Sequence, residues 1–322
     1  MSLKPAKKHQ FPIKGGAYTD VTELIRLRHA AREIDSVTID KSSNPLSGLL
    51  TSKFRGRGID FAEVRRYEPG DDVRTIDWRV TARTQIAHTK LFQEEKERPV
   101  LILVDQSHSL FFGSVFSFKS VLAAQAAALI AWVSLENGDR VGGIVFAETG
   151  HREVRPRRSK HAVLRLLNEI NDFNHRLNKD RRNEDSATDY LSEALLNVRR
   201  VAKHGSTIFL ISDYDHFSKD ALLHLRQLSR HNDIIGVHVS DPMEHNLPSP
   251  DLYTITDGQQ RVQIDTADKK NRSEYEQQYE RHLQQTRIEF NKLKSPLFEL
   301  STGNNVIQSL ADSYHSIRRA KR

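Results

Sequence analysis

One carboxylate and two hydroxyl groups follow an apolar run near the first third of the chain. The run occupies residues 100–104 and leads directly into Asp105, which is followed by Ser107 and Ser109, with His108 between the two serines. Three kinds of chemistry use such a group: nucleophilic catalysis, coordination of a cation by oxygen atoms, and the capping of a helix. The rest of the sequence has to decide among them.

Nucleophilic catalysis finds little support in the sequence. Phosphotransferases of the haloacid-dehalogenase type need a second acid two residues after the aspartate, where this chain has Ser107. A G-x-S-x-G elbow is missing, and so are the glycine-rich loops that hold nucleotide phosphates. His108 lies on a turn between the serines, so we expect its ring to point away from them and toward solvent.

Cation binding requires more oxygen atoms than this one loop offers. Magnesium prefers about six oxygen ligands near 2.1 Å, so neighbouring strand ends must contribute. Asp213 ends a second apolar stretch, and Thr188 opens a predicted helix over residues 189–203. The sequence therefore predicts that five side chains meet at one edge of a sheet. They are Asp105, Ser107, Ser109, Thr188 and Asp213.

Alternating strands and helices begin near residue 99 and define the fold class. Apolar strands are predicted at residues 100–105, 140–147, 206–213 and 232–241, separated by helices at 117–136, 159–171, 189–203 and 218–231. A hairpin at 253–265, a helix at 272–294, a short strand at 296–302 and a helix at 304–320 follow. This alternation predicts an α/β fold with a doubly wound, mostly parallel sheet, in which ligands bind at the carboxyl ends of the strands.

The order of these polar residues resembles a known cation site. A D-x-S-x-S motif, a threonine at a helix start and an aspartate at a strand end are similar to the metal-ion-dependent adhesion site (MIDAS) of von Willebrand factor A domains. That resemblance implies that Ser107, Ser109 and Thr188 are hydroxyl ligands of Mg²⁺, or of Mn²⁺ or Ca²⁺. It implies that Asp105 and Asp213 act largely through bound water. The loop before Thr188 lacks the Gly-Gly often found there.

Simpler roles for the same residues stay open. Ser109 and Thr188 could be helix N-caps, because serine and threonine are favoured at that position. Asp213 could begin a turn.

A second resemblance lies upstream, over residues 54–83. The matching pieces are G-x-G at 56–58, an R-x-Y-like pair at 66–67, G-D-D-x-R at 70–74, I-D-W at 76–78 and A-R at 82–83. They are similar to the signature of an uncharacterised bacterial family, domain of unknown function fifty-eight, which usually carries a von Willebrand factor A-like domain downstream. Together the two resemblances cover roughly residues 46–215. They imply an adaptor or chaperone-like partner of MoxR-type AAA+ ATPases.

The domain prediction follows from these two patterns. Residues 1–97 are predicted to hold an N-terminal helix, at 21–36, and the charged signature lobe. Residues 98–322 are predicted to form the von Willebrand factor A-like domain with a C-terminal hairpin and helix extension. The charges of the lobe indicate either a salt-bridged structural unit or a docking surface for a partner. The candidates for partner binding are Arg74, Asp77, Trp78 and Arg83.

Composition limits the class of protein. The 322 residues contain no cysteine, which excludes disulfides, thiolate zinc sites and cysteine nucleophiles, and which fits the reducing cytoplasm. The longest apolar stretch, residues 121–135, is too short to span a bilayer, and the basic N-terminus lacks the apolar run of a secretory signal. We therefore expect a cytoplasmic protein without a membrane span.

Three functions remain, and the first is favoured: a metal-dependent protein-interaction adaptor that binds a partner's acidic residue and is not an enzyme. The second is a metal-dependent phosphoesterase or nuclease, supported by basic segments at 155–160 and 318–322, which are predicted to lie in a loop and at the terminus. The third is a nucleic-acid-binding protein, supported by 49 Lys+Arg against 42 Asp+Glu and a net charge of +7. Aromatic residues do not interleave with the basic segments, so no nucleic-acid partner is expected.

Overall fold

The computed structural model describes residues 15–38, 60–68, 71–93, 99–177, 189–215, 217–256 and 261–320. Its elements, in chain order, are α1 (Val21–Thr38), β1 (Asp60–Arg66), α2 (Trp78–Thr84), β2 (His88–Gln93), β3 (Pro99–Asp105), α3 (Lys119–Glu136), β4 (Arg140–Ala147), β5 (Gly150–Arg157), α4 (Lys160–Asn174), α5 (Tyr190–Val201), β6 (Thr207–Ser212), α6 (Lys219–Ser229), β7 (Asp233–Ser240), α7 (Pro242–His245), β8 (Leu252–Thr256), β9 (Arg261–Asp265), α8 (Lys269–Lys292), β10 (Leu297–Ser301) and α9 (Val306–Ala320). Two 3₁₀ turns, Val73–Thr75 and His108–Leu110, complete the set.

A six-stranded sheet organises the larger part of the chain. Its strand order is β10-β7-β6-β3-β4-β5, and every neighbouring pair is parallel except β4 with β5. Helices cover both faces, since α1, α3, α4 and α9 contribute to one apolar cluster and α5, α6 and α8 to the other. The predicted doubly wound, mostly parallel α/β fold is confirmed.

The central strand β3 shows why this sequence forms a buried strand. Side chains alternate across a strand, so Val100, Ile102 and Val104 join one apolar cluster while Leu101 and Leu103 join the other. An uninterrupted apolar run is what a parallel strand with both faces covered requires. This packing fixes the position of Asp105, the last residue of the strand.

The helix α3 is the most deeply buried helix of the described residues. Every residue from 119 to 134 is buried, which explains its nearly unbroken apolar sequence. By length and composition α3 could cross a membrane, but 89% of it is buried inside the fold, as in the core helix of a globular domain.

The chain divides into two compact units, one of residues 1–52 with 99–322 and one of residues 53–98. The smaller unit ends at residue 98, and the boundary expected from the sequence lies at residue 97. The N-terminal helix, however, belongs to the larger unit and not to the signature lobe. Leu24, Leu27 and Ala31 of α1 are buried in the core that contains α3, and the indole Nε1 of Trp132 donates to the carbonyl of Leu24 at 3.1 Å.

The edge strand β5 was not predicted from sequence. It runs antiparallel to β4, and of its eight residues only Val154 is buried. A charged sequence on an exposed edge discourages pairing with another chain, and it hides the apolar alternation by which strands are recognised. The basic segment predicted to be a loop therefore begins on this strand, with Arg155 and Arg157. At the C-terminus, residues 318–320 end α9, and residues 321 and 322 lie outside the described residues.

The smaller unit is built on an antiparallel pair, β1 with β2. Its acidic side chains bind nearby backbone: Asp72 accepts from the amide of Arg74 at 2.9 Å, and Asp77 accepts from the amides of Arg79 and Val80 at the start of α2. Such contacts satisfy the free amides at a helix start, so these acids order the lobe locally. Residues 54–59 and 69–70 of the signature lie outside the described residues.

The predicted C-terminal hairpin is confirmed, because β8 and β9 pair antiparallel from Leu252↔Asp265 to Thr256↔Arg261. Its turn at residues 257–258 lies outside the described residues. The other predicted helices agree with the observed bounds to within three residues at each end.

Candidate metal centre

The candidate site lies where the strand order of the sheet reverses direction. From β3 the chain continues to β4 on one side, and it later returns to place β6 on the other side. Ligands of doubly wound sheets bind at this switch point, outside the carboxyl ends of the strands. Asp105 ends β3, and Asp213 directly follows β6.

Asp105 is almost completely buried, with 1% of its surface exposed. Its Oδ1 accepts the backbone N–H of Ser107 at 2.8 Å, and its Oδ2 accepts the hydroxyl of Ser212 at 2.6 Å. Burial, followed by the negative charge of Asp213, raises the pKa of Asp105 to about 7. The carboxyl group is therefore positioned by neutral donors, without a full counter-charge of its own.

Ser107 and Ser109 place two hydroxyl oxygens side by side, 3.0 Å apart. Octahedral coordination at about 2.1 Å puts neighbouring ligand oxygens about 3.0 Å apart, so this spacing suits a shared cation. Ser107 precedes the short 3₁₀ turn but its side chain makes no capping bond there, and α3 begins ten residues after Ser109. The helix-cap explanation therefore does not account for either hydroxyl.

The carboxylate of Asp213 accepts hydrogen bonds on both of its oxygen atoms, and the side chain of Ser109 is a further hydrogen-bond partner. Its Oδ1 accepts the backbone N–H of Asp215 at 3.2 Å, which agrees with the turn role considered from sequence. Its Oδ2 accepts from the ammonium of Lys119 at 2.9 Å. Burial is the largest single effect on the pKa of Asp213 and raises it, but the charge and hydrogen bond of Lys119, with the hydrogen bonds from Asp215 and Ser109, together outweigh burial and hold the pKa below its usual value.

Lys119 and Glu244 were not predicted to belong to the site. The side chain of Lys119 is only 3% exposed, and its Nζ also contacts Oε1 of Glu244 at 2.5 Å. Burial is the largest single effect on the pKa of Lys119 and lowers it, but the charges and hydrogen bonds of Asp213 and Glu244 together outweigh burial and raise the pKa, so the ammonium stays protonated. One signal was available in the sequence, because Lys119 is the only charged residue between 117 and 135 and a buried charge needs a partner.

Thr188, the fifth predicted ligand, lies outside the described residues. The adjacent Asp189 caps α5 by accepting the backbone N–H of Ser192 at 2.9 Å. Tyr190, the first residue of that helix, is buried beside the site: burial and the charge of Asp105 raise the pKa of its phenol, while a hydrogen bond with Ser107 opposes them.

His108 is half-buried, which differs from the expected solvent-facing turn residue. Its backbone N–H donates to Oε1 of Glu148 at 2.9 Å, and its ring lies 6.1 Å from that of Phe111. The 3₁₀ turn holds the residue against these neighbours.

The donor set suits a hard divalent cation, although Lys119 already occupies one of the carboxylate oxygens. All predicted ligands offer oxygen, as Mg²⁺, Mn²⁺ and Ca²⁺ prefer. Asp105, Asp213 and Glu244 together carry two more negative charges than Lys119 neutralises when all are ionised, which a divalent cation would balance. Among the described residues, no group of three or more His, Asp or Glu has metal-binding geometry by itself, so the hydroxyls are essential to any such site. Lys119 already shares an oxygen of Asp213.

The partner-binding candidates of the smaller unit differ in their accessibility. Trp78 is 67% exposed, and Arg74 and Arg83 are exposed as well. Asp77 is only partly exposed and caps α2. Helix capping therefore accounts for Asp77, whereas the exposed side chains of Arg74, Trp78 and Arg83 are accessible to a partner.

Comparison with known proteins gives relatives without an assigned activity. The chain is 27% identical over 240 residues to the uncharacterised protein Rv1480 of Mycobacterium tuberculosis, covering 74% of this chain and 72% of that protein. An uncharacterised protein of Mycobacterium bovis, Mb1516, matches to the same extent.

Among solved structures, the conserved hypothetical protein BatB from Bacteroides thetaiotaomicron is 15% identical, with a TM-score of 0.40 over 70% of this chain and all of that one. A von Willebrand factor type A protein from Catenulispora acidiphila is 14% identical, with a TM-score of 0.31 over 48% of this chain and 35% of that one. The manganese-loaded TRAP protein of Plasmodium vivax is 16% identical, with a TM-score of 0.30 over 44% and 57%. These likenesses are too distant to carry an argument about function.

A family match includes residues of both units. A family model described as "Protein of unknown function DUF58" matches residues 63–285, more than half of the chain, from the signature lobe through most of the α/β unit. This match confirms the resemblance inferred from the upstream signature, and the chain belongs to the DUF58 family.

Proposed function

We propose that this protein is a metal-dependent protein-interaction adaptor. The observation that carries the proposal is the meeting of Asp105, Ser107, Ser109 and Asp213 at the switch point of the sheet. The hydroxyls of Ser107 and Ser109 would bind Mg²⁺, or Mn²⁺ or Ca²⁺, directly, and the carboxylates of Asp105 and Asp213 would hold its water ligands. The cation, when bound, supplies an open coordination position for a carboxylate of the partner.

The surface after the site also suits a protein partner. Phe112, Val115 and Phe116 are 40%, 65% and 50% exposed, and they lie in the segment that joins Ser109 to α3. This segment is held in place because both the backbone N–H and the hydroxyl of Ser114 donate to Asp241. Exposed apolar side chains on an ordered segment are typical of protein interaction sites.

The partner that the family resemblance implies is a MoxR-type AAA+ ATPase, or a client protein that the ATPase remodels. In this proposal the adaptor acts in the cytoplasm, in a chaperone-like maturation or regulation of the client. An acidic side chain of the partner would approach the cation, and Arg74, Trp78 and Arg83 of the smaller unit would offer a second contact surface. Arg and Trp are residue types enriched in binding hot spots.

A binding experiment tests the proposal. The purified full chain would be immobilised, and capture of a candidate AAA+ ATPase would be measured in Mg²⁺ and in excess EDTA. We expect capture in Mg²⁺ and at least a tenfold loss in EDTA or with Ser107→Ala, because about 1.4 kcal/mol of binding free energy corresponds to tenfold in affinity.

Ser229→Ala is the matched control. The hydroxyl of Ser229 donates to the carbonyl of Arg226 within its own helix, on an exposed surface, so capture should not change. Equal capture in Mg²⁺ and EDTA would refute the metal bridge.

The enzyme alternative is tested on the same protein. The proposal assigns no catalytic role to the site. Asp105, Ser107, Ser109 and Asp213 all serve the cation or its water ligands, and none of them is assigned as a nucleophile or general base. A panel of phosphatase and nuclease substrates with Mg²⁺ and Mn²⁺ should give no sustained turnover. Turnover that is lost in Asp105→Ala would replace the adaptor proposal with a hydrolase.

A further inference from the structure

A lysine ammonium lies inside the candidate metal centre, on the carboxylate that a metal would share. Lys119 Nζ is 2.9 Å from Oδ2 of Asp213 and 2.5 Å from Oε1 of Glu244, and its side chain is 3% exposed. We propose that Lys119 is a built-in cation that competes with the divalent metal for Asp213 and thereby keeps the metal affinity of this site low. The inference deepens the proposed function, on which it rests.

The position of Lys119 is unfavourable unless the ammonium has a role among these carboxylates. It is the first residue of an 18-residue helix, where the helix dipole already concentrates positive charge. The same residue is buried, so its charge also loses contact with water. Within the described part of the chain, the carboxylates of Asp213 and Glu244 are the ion-pair partners that offset these costs.

Glu244 provides the alternative position that competition requires. Its Oε2 accepts the backbone N–H of Asp241 at 2.9 Å as part of a capping box, which fixes the carboxylate. Its Oε1 faces Lys119. The ammonium can therefore keep one carboxylate partner, Glu244, when a divalent cation takes the charge of Asp213.

Among the residues that the structure describes, the hydroxyl side of the site contains no such competitor. Ser107 and Ser109 bond to each other, and the donors to Asp105 are neutral: the amide and side chain of Ser107 and the hydroxyl of Ser212. Removing the ammonium would thus leave the hydroxyl ligands intact while adding one unshared carboxylate. Two cations a few ångströms apart also repel each other strongly in a buried site. Removing the ammonium of Lys119 therefore favours metal binding in two ways, by freeing a carboxylate and by removing a repelling charge.

A titration of the isolated protein with Mn²⁺, followed by the Mn²⁺ electron paramagnetic resonance signal and by calorimetry, tests the inference. Lys119→Met removes the charge and keeps an unbranched side chain, and Lys119→Arg keeps the charge. We expect Lys119→Met to bind Mn²⁺ at least about tenfold more tightly than the wild type, and Lys119→Arg to remain close to the wild type. Ser107→Ala in the Lys119→Met background should abolish the gain, which assigns the bound ion to this site.

Folding of the variant is measured in parallel by circular dichroism. If Lys119→Met folds only when Mn²⁺ is added, the metal replaces the ammonium and the inference is supported. If it stays unfolded in saturating Mn²⁺, or binds Mn²⁺ no more tightly than the wild type, Lys119 is a structural ion-pair partner and the inference is wrong. The same holds if neither protein binds Mn²⁺.

The outcomes for the inference and for the adaptor function are separable. Tighter Mn²⁺ binding by Lys119→Met, with partner capture insensitive to EDTA, supports the competing lysine and refutes the metal bridge. Capture that depends on metal, with equal Mn²⁺ affinity in both proteins, supports the metal bridge and refutes the competing lysine.

Discussion

The two sides of the candidate site handle buried charge in different ways. On the β3 side, Asp105 is held by an amide and by the hydroxyl of Ser212, and its pKa is raised by burial to about 7. On the β6 side, Asp213 is paired with the ammonium of Lys119, and its pKa is lowered. The two carboxylates have the same chemistry and similar burial, so the difference comes from the partner of each.

The difference indicates which side depends on an added cation. Asp213 already has its counter-charge, and losing Lys119 would leave buried carboxylates unpaired. Asp105 has only neutral hydrogen-bond donors and lies near the negative charge of Asp213, so it is the group whose charge a divalent ion would relieve. Stability experiments therefore probe the pairing of Asp213 with Lys119, and metal titrations probe the added cation on both sides.

The largest expected effect on stability comes from Lys119→Met in metal-free buffer. Breaking a buried ion pair by removing one partner costs about 3–5 kcal/mol, and here two carboxylates lose their partner. Urea unfolding followed by circular dichroism measures this loss. Arg26→Ala is the control: its pair with Glu23 lies on the surface and should contribute about 0.2–1 kcal/mol. Equal losses in the two variants would show that the buried pair is not special.

The next largest effect is a pH dependence at His238, a buried histidine of β7 near the Asp213 side. Burial lowers its pKa to about 4; Asp213 and Glu299 act against this, whereas His282 and Lys119 act with it. Between pH ~6.5 and ~4 the unfolded chain binds a proton that the folded chain does not, so stability falls as the pH falls, by about 1.4 kcal/mol per unit at most.

His238→Phe removes this titration and keeps a planar ring. Comparing urea unfolding of the two proteins at pH 7 and pH 5 isolates the contribution, and the variant should show the shallower pH dependence. Parallel curves for both proteins would mean that folding does not lower the pKa of His238.

A third test joins Lys119→Met with Asp213→Asn. Because the single changes remove the same contact, the double variant should lose less stability than the two losses combined, with a coupling of about 0.5–3 kcal/mol. Additive losses would show that Glu244 and not Asp213 is the energetically important partner of the ammonium.

The smallest expected effect is that of Ser107→Ala on metal-free stability. Its hydroxyl bonds to that of Ser109, and a hydrogen bond of this kind contributes about 0.5–1.5 kcal/mol. A loss in that range, together with lost Mn²⁺ binding, would separate the role of the hydroxyl from folding. A loss above about 3 kcal/mol would instead assign Ser107 to the structural core of the site.

Much of the fold could be predicted because local pattern and tertiary environment agree. The apolar run of β3 and the apolar helix α3 can only be stable when buried, and both occupy the centre of the larger unit. The edge strand β5 was not predicted, because only Val154 of its eight residues is buried and its sequence lacks the alternation of apolar and polar residues that indicates a strand. The packing of α1 in the core of the larger unit was not predicted either, because an amphipathic pattern does not show which surface a helix covers.

The candidate site was also predicted only in part from the sequence. The sequence by itself determined the β3 loop, because Asp105, Ser107 and Ser109 are close in the chain, and it indicated Asp213 through the repeated strand-and-acid pattern. Only the tertiary structure decided that Lys119 and Glu244 join them, since these residues are 125 positions apart and meet through the packing of α3 and α7. Sequence patterns report what each segment must bury, whereas the partner of a buried charge depends on which segments the sheet brings together.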